Sequence, residues 1–238
     1  MLDARYSGVV ASKGTIMKIY NVSHLTRGGI KCITLVLCAI FSVQAFAGIS
    51  GSAHDFDSVA WNDTGEMCVT CHTPHNGATA ADGPLWNRTA STASYTVYAD
   101  PNGTINGTIS APSGASKLCL SCHDGTVALE SFGGNGAVTT TLIGAVNPLV
   151  NVGSNLSDDH PISVTYTDPA LAATTTSVTI GSAGTAELTG TIAELLVPSG
   201  SVECSSCHDV HNTYTVATTP LLKMTNAGSA LCQTCHAK

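Results

Sequence analysis

Four short stretches of this chain carry residue types suited to redox chemistry. They are Cys68-Val-Thr-Cys71-His72, Cys119-Leu-Ser-Cys122-His123, Cys204-Ser-Ser-Cys207-His208 and Cys232-Gln-Thr-Cys235-His236. Each is a Cys-x-x-Cys-His motif, the attachment signature of haem c. Two thiols three positions apart can reach the two vinyl groups on one edge of a porphyrin. The next residue can then raise its imidazole to the iron as proximal ligand. The motifs use eight of the ten cysteines. Disulfides, which an exported chain permits, and paired zinc half-sites are the competing readings. Neither calls for a histidine after every second cysteine. The spacing predicts four covalently bound haem c groups with proximal ligands His72, His123, His208 and His236.

A second axial ligand is needed at each iron if small molecules are to be kept out. Besides the proximal four and His24 near the amino terminus, the histidines are His54, His75, His160 and His211. Four irons therefore face four spare imidazoles, which predicts bis-histidine ligation throughout. Methionine is the other candidate and would raise the potential; outside the amino-terminal segment only Met67 and Met224 are available. The first and third motifs extend to Cys-x-x-Cys-His-x-x-His. In a helical turn, histidines three apart hold their Cβ atoms about 5–6 Å from one another. The haem plane blocks the second imidazole from its neighbour's iron. His75 and His211 are therefore expected to serve other haems lying close by.

The elements that hold these motifs must come from an unusual composition. Residues 1–47 read as a cleaved secretion signal, with Met17 an alternative start. Arg27 and Lys31 flank the apolar run Cys32 to Val43, and Ala45-Phe46-Ala47 makes a small-x-small cleavage box. No apolar run reaches the roughly 18–20 residues needed to span a bilayer. Only Arg88, Lys117, Lys223 and Lys238 remain beyond the leader as basic residues, against fifteen of the sixteen acids. That balance excludes nucleic acid as a partner. The stretches 84–116 and 133–200 are rich in Thr, Ser, Gly and Ala, with turns expected at Asn102-Gly103 and Asn106-Gly107. Short strands are expected at 162–166, 176–180 and 192–197, and a helix over 120–130. The fold class expected is a multihaem cytochrome c. Its chain is mostly irregular, with short helices and a few short strands wrapped around a chain of haems.

The motifs also repeat in pairs. Glu66-Met-Cys-Val-Thr-Cys-His-Thr-Pro-His75-Asn76 parallels Glu203-Cys-Ser-Ser-Cys-His-Asp-Val-His211-Asn212, and Pro84-Leu85 parallels Pro220-Leu221. His54 precedes one pair of motifs and His160 the other. We expect a two-haem module at 48–130, a Thr/Ser/Gly-rich segment bearing His160 at 131–200, and a second two-haem module at 201–238.

Gly51-Ser-Ala-His54-Asp-Phe, Cys71-His-Thr-Pro-His75-Asn, Cys119-Leu-Ser-Cys-His-Asp-Gly-Thr-Val127, Asp159-His160-Pro-Ile and Cys204-Ser-Ser-Cys-His-Asp-Val-His211 resemble the OmcE-type tetrahaem cytochromes of metal-reducing bacteria. The resemblance implies a secreted subunit on the outside of a Gram-negative cell. Such subunits polymerise into a conductive filament that exports respiratory electrons to minerals or partner cells. It also implies that one axial histidine comes from the neighbouring subunit, with His75 and then His54 the candidates here. Electrons would pass to and from other cytochromes or extracellular acceptors. Two alternatives remain open: a monomeric periplasmic shuttle, and a multihaem reductase with one open haem. The second is disfavoured by the matched histidine count and the scarcity of cations for an anionic substrate. No catalytic constellation stands out, so an electron-transfer protein rather than an enzyme is expected.

Overall fold

The computed structural model describes residues 48–80, 83–103, 105, 107–134, 140–166, 177–181, 186–214 and 221–236. The expected leader lies outside them, as do Asn106, Thr176, Pro220 and Lys238. Most of the described chain is irregular. Its five α-helices are α1 (Gly114–His123), α2 (Ile143–Val146), α3 (Ile192–Leu195), α4 (Cys204–Cys207) and α5 (Ala230–Cys235). Six short strands form three separate antiparallel pairs: β1 (Ala78–Ala80) with β2 (Gly83–Trp86), β3 (Val164–Thr165) with β6 (Ser201–Val202), and β4 (Ser177–Ile180) with β5 (Leu188–Thr191). Short helices and scattered two-stranded ribbons make the irregular multihaem-cytochrome-like fold that the composition pointed to.

The strands expected at 162–166 and 176–180 appear as β3 and β4. Two other expectations need correction. Residues 192–197 begin a helix, not a strand. Thr191 caps it: the Glu194 amide donates to Thr191 Oγ1 at 3.2 Å, and the Thr191 amide donates to Glu194 Oε2 at 2.9 Å. This reciprocal capping box outweighs the β-branched ends of the run. It also places Ile192 and Leu196, four apart, on one buried face. The helix expected over 120–130 instead runs from Gly114 to His123. Gly125 stops it by taking φ +71°, and a Cβ there would lie 2.6 Å from Asn151 Oδ1.

A small apolar core sits in the segment that composition made look featureless. Tyr166, Val178, Ile180, Ile192, Leu196 and Val197 pack together, with Val202, Tyr214 and Cys235 against them. The strand pattern explains this. On β4 the alternate residues Val178 and Ile180 face inward while Ser177 and Thr179 face solvent. Around α1 and α2, Leu120, Ala128, Leu129, Phe132 and Ile143 are buried. Arg88 bridges to Phe132 there, and the Thr89 amide donates to the Ser131 carbonyl at 3.0 Å, tying the chain after β2 to the chain after α1.

Candidate haem-binding centre

Each motif lies on a single helical turn or at a helix end. The first occupies a 3₁₀ turn (Cys68–Thr70), the second the end of α1, the third α4 and the fourth α5. The amides of His72, His208 and His236 donate to the carbonyls of Cys68, Cys204 and Cys232 at 2.9, 3.0 and 2.9 Å. One turn thus brings both thiols of a motif to one side and ends at the histidine. The helical continuation expected through His75 and His211 is absent. His208 is extended (φ −105°, ψ 142°) and His72 forms a β-bridge with Trp86, so the spacing argument based on a helical turn does not hold.

The same local geometry occurs at the first and third motifs. His72 bridges to Trp86 as His208 bridges to Leu222. The Thr73 amide donates to Leu85 O at 2.9 Å, and the Asp209 amide to Leu221 O at 2.8 Å. Asn87 donates to Cys71 O and Lys223 to Cys207 O, both at 2.9 Å. Non-glycine residues take positive φ at matching places: Asn76 (59°) with Asn212 (51°), and Leu85 (55°) with Leu221 (65°). Such backbone costs energy at leucine, so its recurrence marks a constraint common to both places.

Three proximal histidines each face a spare one. Ring centroids are 6.1 Å apart for His72–His211, 6.1 Å for His123–His54 and 6.2 Å for His236–His160. The interplanar angles are 18°, 82° and 70°. Metal–imidazole bonds of about 2 Å, with ring centres about 1 Å further out, put two axial ligands roughly 6 Å apart. The three gaps therefore fit one iron each. His75 is exposed; its Nδ1 lies 3.4 Å from Asn76 Nδ2, and its carbonyl accepts from Thr73 Oγ1 at 2.9 Å. Neither His75 nor His208 has a ring partner among the described residues.

Hydrogen bonds fix which nitrogen is free. Nδ1 of His72 lies 2.9 Å from Pro84 O, Nδ1 of His123 2.8 Å from Val150 O, and Nδ1 of His160 2.9 Å from Pro161 O. A carbonyl accepts only if Nδ1 carries the proton, which leaves the Nε2 lone pair for a metal. His54 differs: its Nδ1 is buried without a hydrogen bond, although the Val210 backbone is near enough to favour its proton. Burial first, and then the neighbouring His123, lowers the His54 pKa to about 4. The ring is thus neutral, as a ligand must be. Burial also lowers the pKa of His208, even though part of that side chain meets solvent.

The cysteines are neighbours in sequence order. Cys122 has Cys71 beside it, and Cys119 hydrogen-bonds Cys204, raising its own pKa and lowering that of Cys204. Cys207 has Cys235 and Cys232 beside it. The Cys204 amide also donates to Ser116 Oγ at 2.9 Å, joining α1 to α4. Next to His123, the segment that supplies the Val150 carbonyl exposes Leu142, Val146, Leu149, Val150 and Val152; Leu149 is 93% exposed. Such an apolar shelf suits the face of a porphyrin. Several anchoring groups were missed by sequence reasoning: the carbonyls of Pro84, Val150 and Pro161, which leave no trace in residue type, and Arg88. Arg88 did carry a signal, as the one arginine outside the leader.

Residues 197–238 match the family model described as a doubled CXXCH motif. No curated protein matches the chain. Among the described residues no helix is long and apolar enough to cross a membrane. The paired motif marks a multihaem c-type cytochrome domain, and with it a protein of electron transfer that holds haem through its cysteines.

Proposed function

We propose that the chain is a tetrahaem electron carrier that polymerises outside the cell into a filament carrying an unbroken row of haems. Cys68 and Cys71, Cys119 and Cys122, Cys204 and Cys207, and Cys232 and Cys235 would hold the four groups. Bound haem supplies a one-electron ferrous–ferric couple. The chain's own residues do the rest. Pro84, Val150 and Pro161 orient imidazoles through their carbonyls, the motif turns present paired thiols, and the shelf at 142–152 keeps water from one face. The neighbouring cysteines of successive motifs favour a row in the order of the sequence, in which each group lies near the next. The two-haem modules at 48–130 and 201–238 belong to this reading, supported by the matching turns around His72 and His208.

The observation that carries the polymer is the leftover pair. Among the described residues the rings of His72, His123 and His236 each face a spare histidine ring, while His208 faces none and His75 is exposed. His75 of one subunit would complete the iron held at His208 of the next, and repetition of that contact generates a filament. His54, the other candidate donor, is engaged with His123 instead.

The test is electron microscopy of holoprotein secreted by a host able to attach haem, comparing the natural chain with His75→Ala. Filaments in the first and dispersed subunits in the second are expected. Dispersed subunits in both would leave a monomeric shuttle. The same unmatched His208 favours a second reading, a reductase with an open iron. Carbon monoxide binding to one iron in four within intact assemblies would support it, and its absence there would exclude it.

A further inference from the structure

Two of the four basic residues outside the leader are withdrawn from solvent beside the motifs. Arg88 is 5% exposed. Its Nη1 and Nη2 donate to the carbonyls of Leu129 and Ala128 at 3.0 and 3.1 Å, while its Nε is buried without a partner. No carboxylate forms an ion pair with it among the described residues. A guanidinium keeps its proton, so this is a buried positive charge held by backbone carbonyls rather than in an ion pair, a costly thing to maintain. The amide of the preceding residue, Asn87, donates to Cys71 O at 2.9 Å, and the guanidinium stands beside Cys71 of the first motif and Cys122 of the second. Asp124 is the acidic group on the Cys122 side, and its carboxylate accepts from the hydroxyls of Ser91 and Tyr95. At the third motif the half-buried Lys223 stands in a similar place. Its amide donates to Cys207 O, its Nζ donates to Leu195 O at 2.9 Å, and Asp209 is the acid nearby. Lys117, by contrast, is exposed on α1.

A chain this poor in cations gains nothing in solubility from burying one. Each iron exchanges a single electron with its neighbours, and a fixed cation disfavours the extra positive charge of the ferric form. We propose that Arg88 is an electrostatic tuning residue: it raises the reduction potentials of the haems held at Cys71 and Cys122 above those its charge does not reach, and Lys223 does the same at Cys207. This rests on the haem reading above.

The test uses full-length holoprotein, with haem content measured by the pyridine haemochrome assay and the individual midpoints resolved by potentiometric titration. Arg88→Gln is expected to keep all four haems and to lower two midpoints. At a fixed poise, the ferric-to-ferrous ratio at those two sites rises on the order of tenfold. Arg88→Lys, which keeps the charge, is expected to restore them. Four bound haems with unchanged midpoints in Arg88→Gln would overturn the proposal. So would an Arg88→Lys protein whose midpoints fall as far as those of the glutamine variant, since the role would then be structural. Should Arg88→Gln lose haem, Arg88→Lys must hold the natural midpoints and Lys223→Gln must lower the one at Cys207; failure of either overturns the proposal. A natural chain carrying no covalent haem would instead refute the haem reading.

Discussion

The angles between paired imidazoles have a spectroscopic consequence. An imidazole donates π density to iron along the normal to its own plane. Parallel rings therefore act on the same d orbital, and crossed rings act on different ones. The resulting splitting scales with the cosine of the interplanar angle. Relative to perfectly parallel rings it is about 0.95 for His72–His211, about 0.34 for His160–His236 and about 0.14 for His54–His123. The first pair thus differs from the last roughly sevenfold. Low-temperature electron paramagnetic resonance of the fully oxidised holoprotein should show one rhombic low-spin signal from the near-parallel pair. Two strongly anisotropic signals with a large highest g value should accompany it. His211→Ala should abolish the rhombic signal of the His72 iron and leave the two large-g signals in place, because the His211 ring pairs with His72 while His54 and His160 pair with His123 and His236. Loss of a large-g signal in that variant would refute the pairing. So would the absence of any rhombic signal from the natural protein.

Three further outcomes follow from the geometry. Replacing both Cys232 and Cys235 by alanine should lower covalent haem by one per chain in the pyridine haemochrome assay, and an unchanged count would remove the fourth motif from the haem sites. Thr191→Ala removes the hydroxyl half of the capping box on α3, the acceptor of the Glu194 amide, and leaves the backbone half in place, at a cost of about 1 kcal/mol. Urea unfolding followed by tyrosine fluorescence should show a lower midpoint, and no shift would count against the cap. Burial, and then its hydrogen bond to Asp124, pushes the Tyr95 hydroxyl from 10 up to about 12. Its raised pKa means that the stabilisation is complete below pH 10 and is lost as pH climbs towards about 12. Tyr95→Phe should lack this part of the alkaline loss, as measured by denaturant midpoints across that range.

What could be read directly from the residues was chemistry carried by local spacing. Cys-x-x-Cys-His occupies one turn wherever it occurs, so its geometry is settled within five residues. Pairing was not legible, because His211 meets His72 and His54 meets His123 through tertiary packing that no interval encodes. Residues 192–197 misled for a local reason: Ile192 and Val197 suggested a strand, while Thr191 and Glu194 formed a cap whose signal was read past. Residues 124–130 misled through Gly125, whose positive φ ends the helix and where a Cβ would lie 2.6 Å from Asn151 Oδ1. The small core around Ile180 and Ile192 was hidden by the abundance of Thr, Ser and Gly. Alternation over only four residues of β4 was enough to build it.

The facing of His72 by His211 has a temporal side. A chain made from its amino terminus presents the first motif when His211, more than half the sequence later, does not yet exist. The His54–His123 and His160–His236 contacts, by contrast, close over 69 and 76 residues instead of 139. The earliest motif is therefore completed after its successor, and it waits on a long-range closure of the kind that slows folding. During that interval the histidine side of the first motif stands open, which is when maturation machinery has its readiest access and when wrong ligands compete. With an iron bridging the pair as proposed, a cut between the two histidines after closure would leave both pieces joined through it.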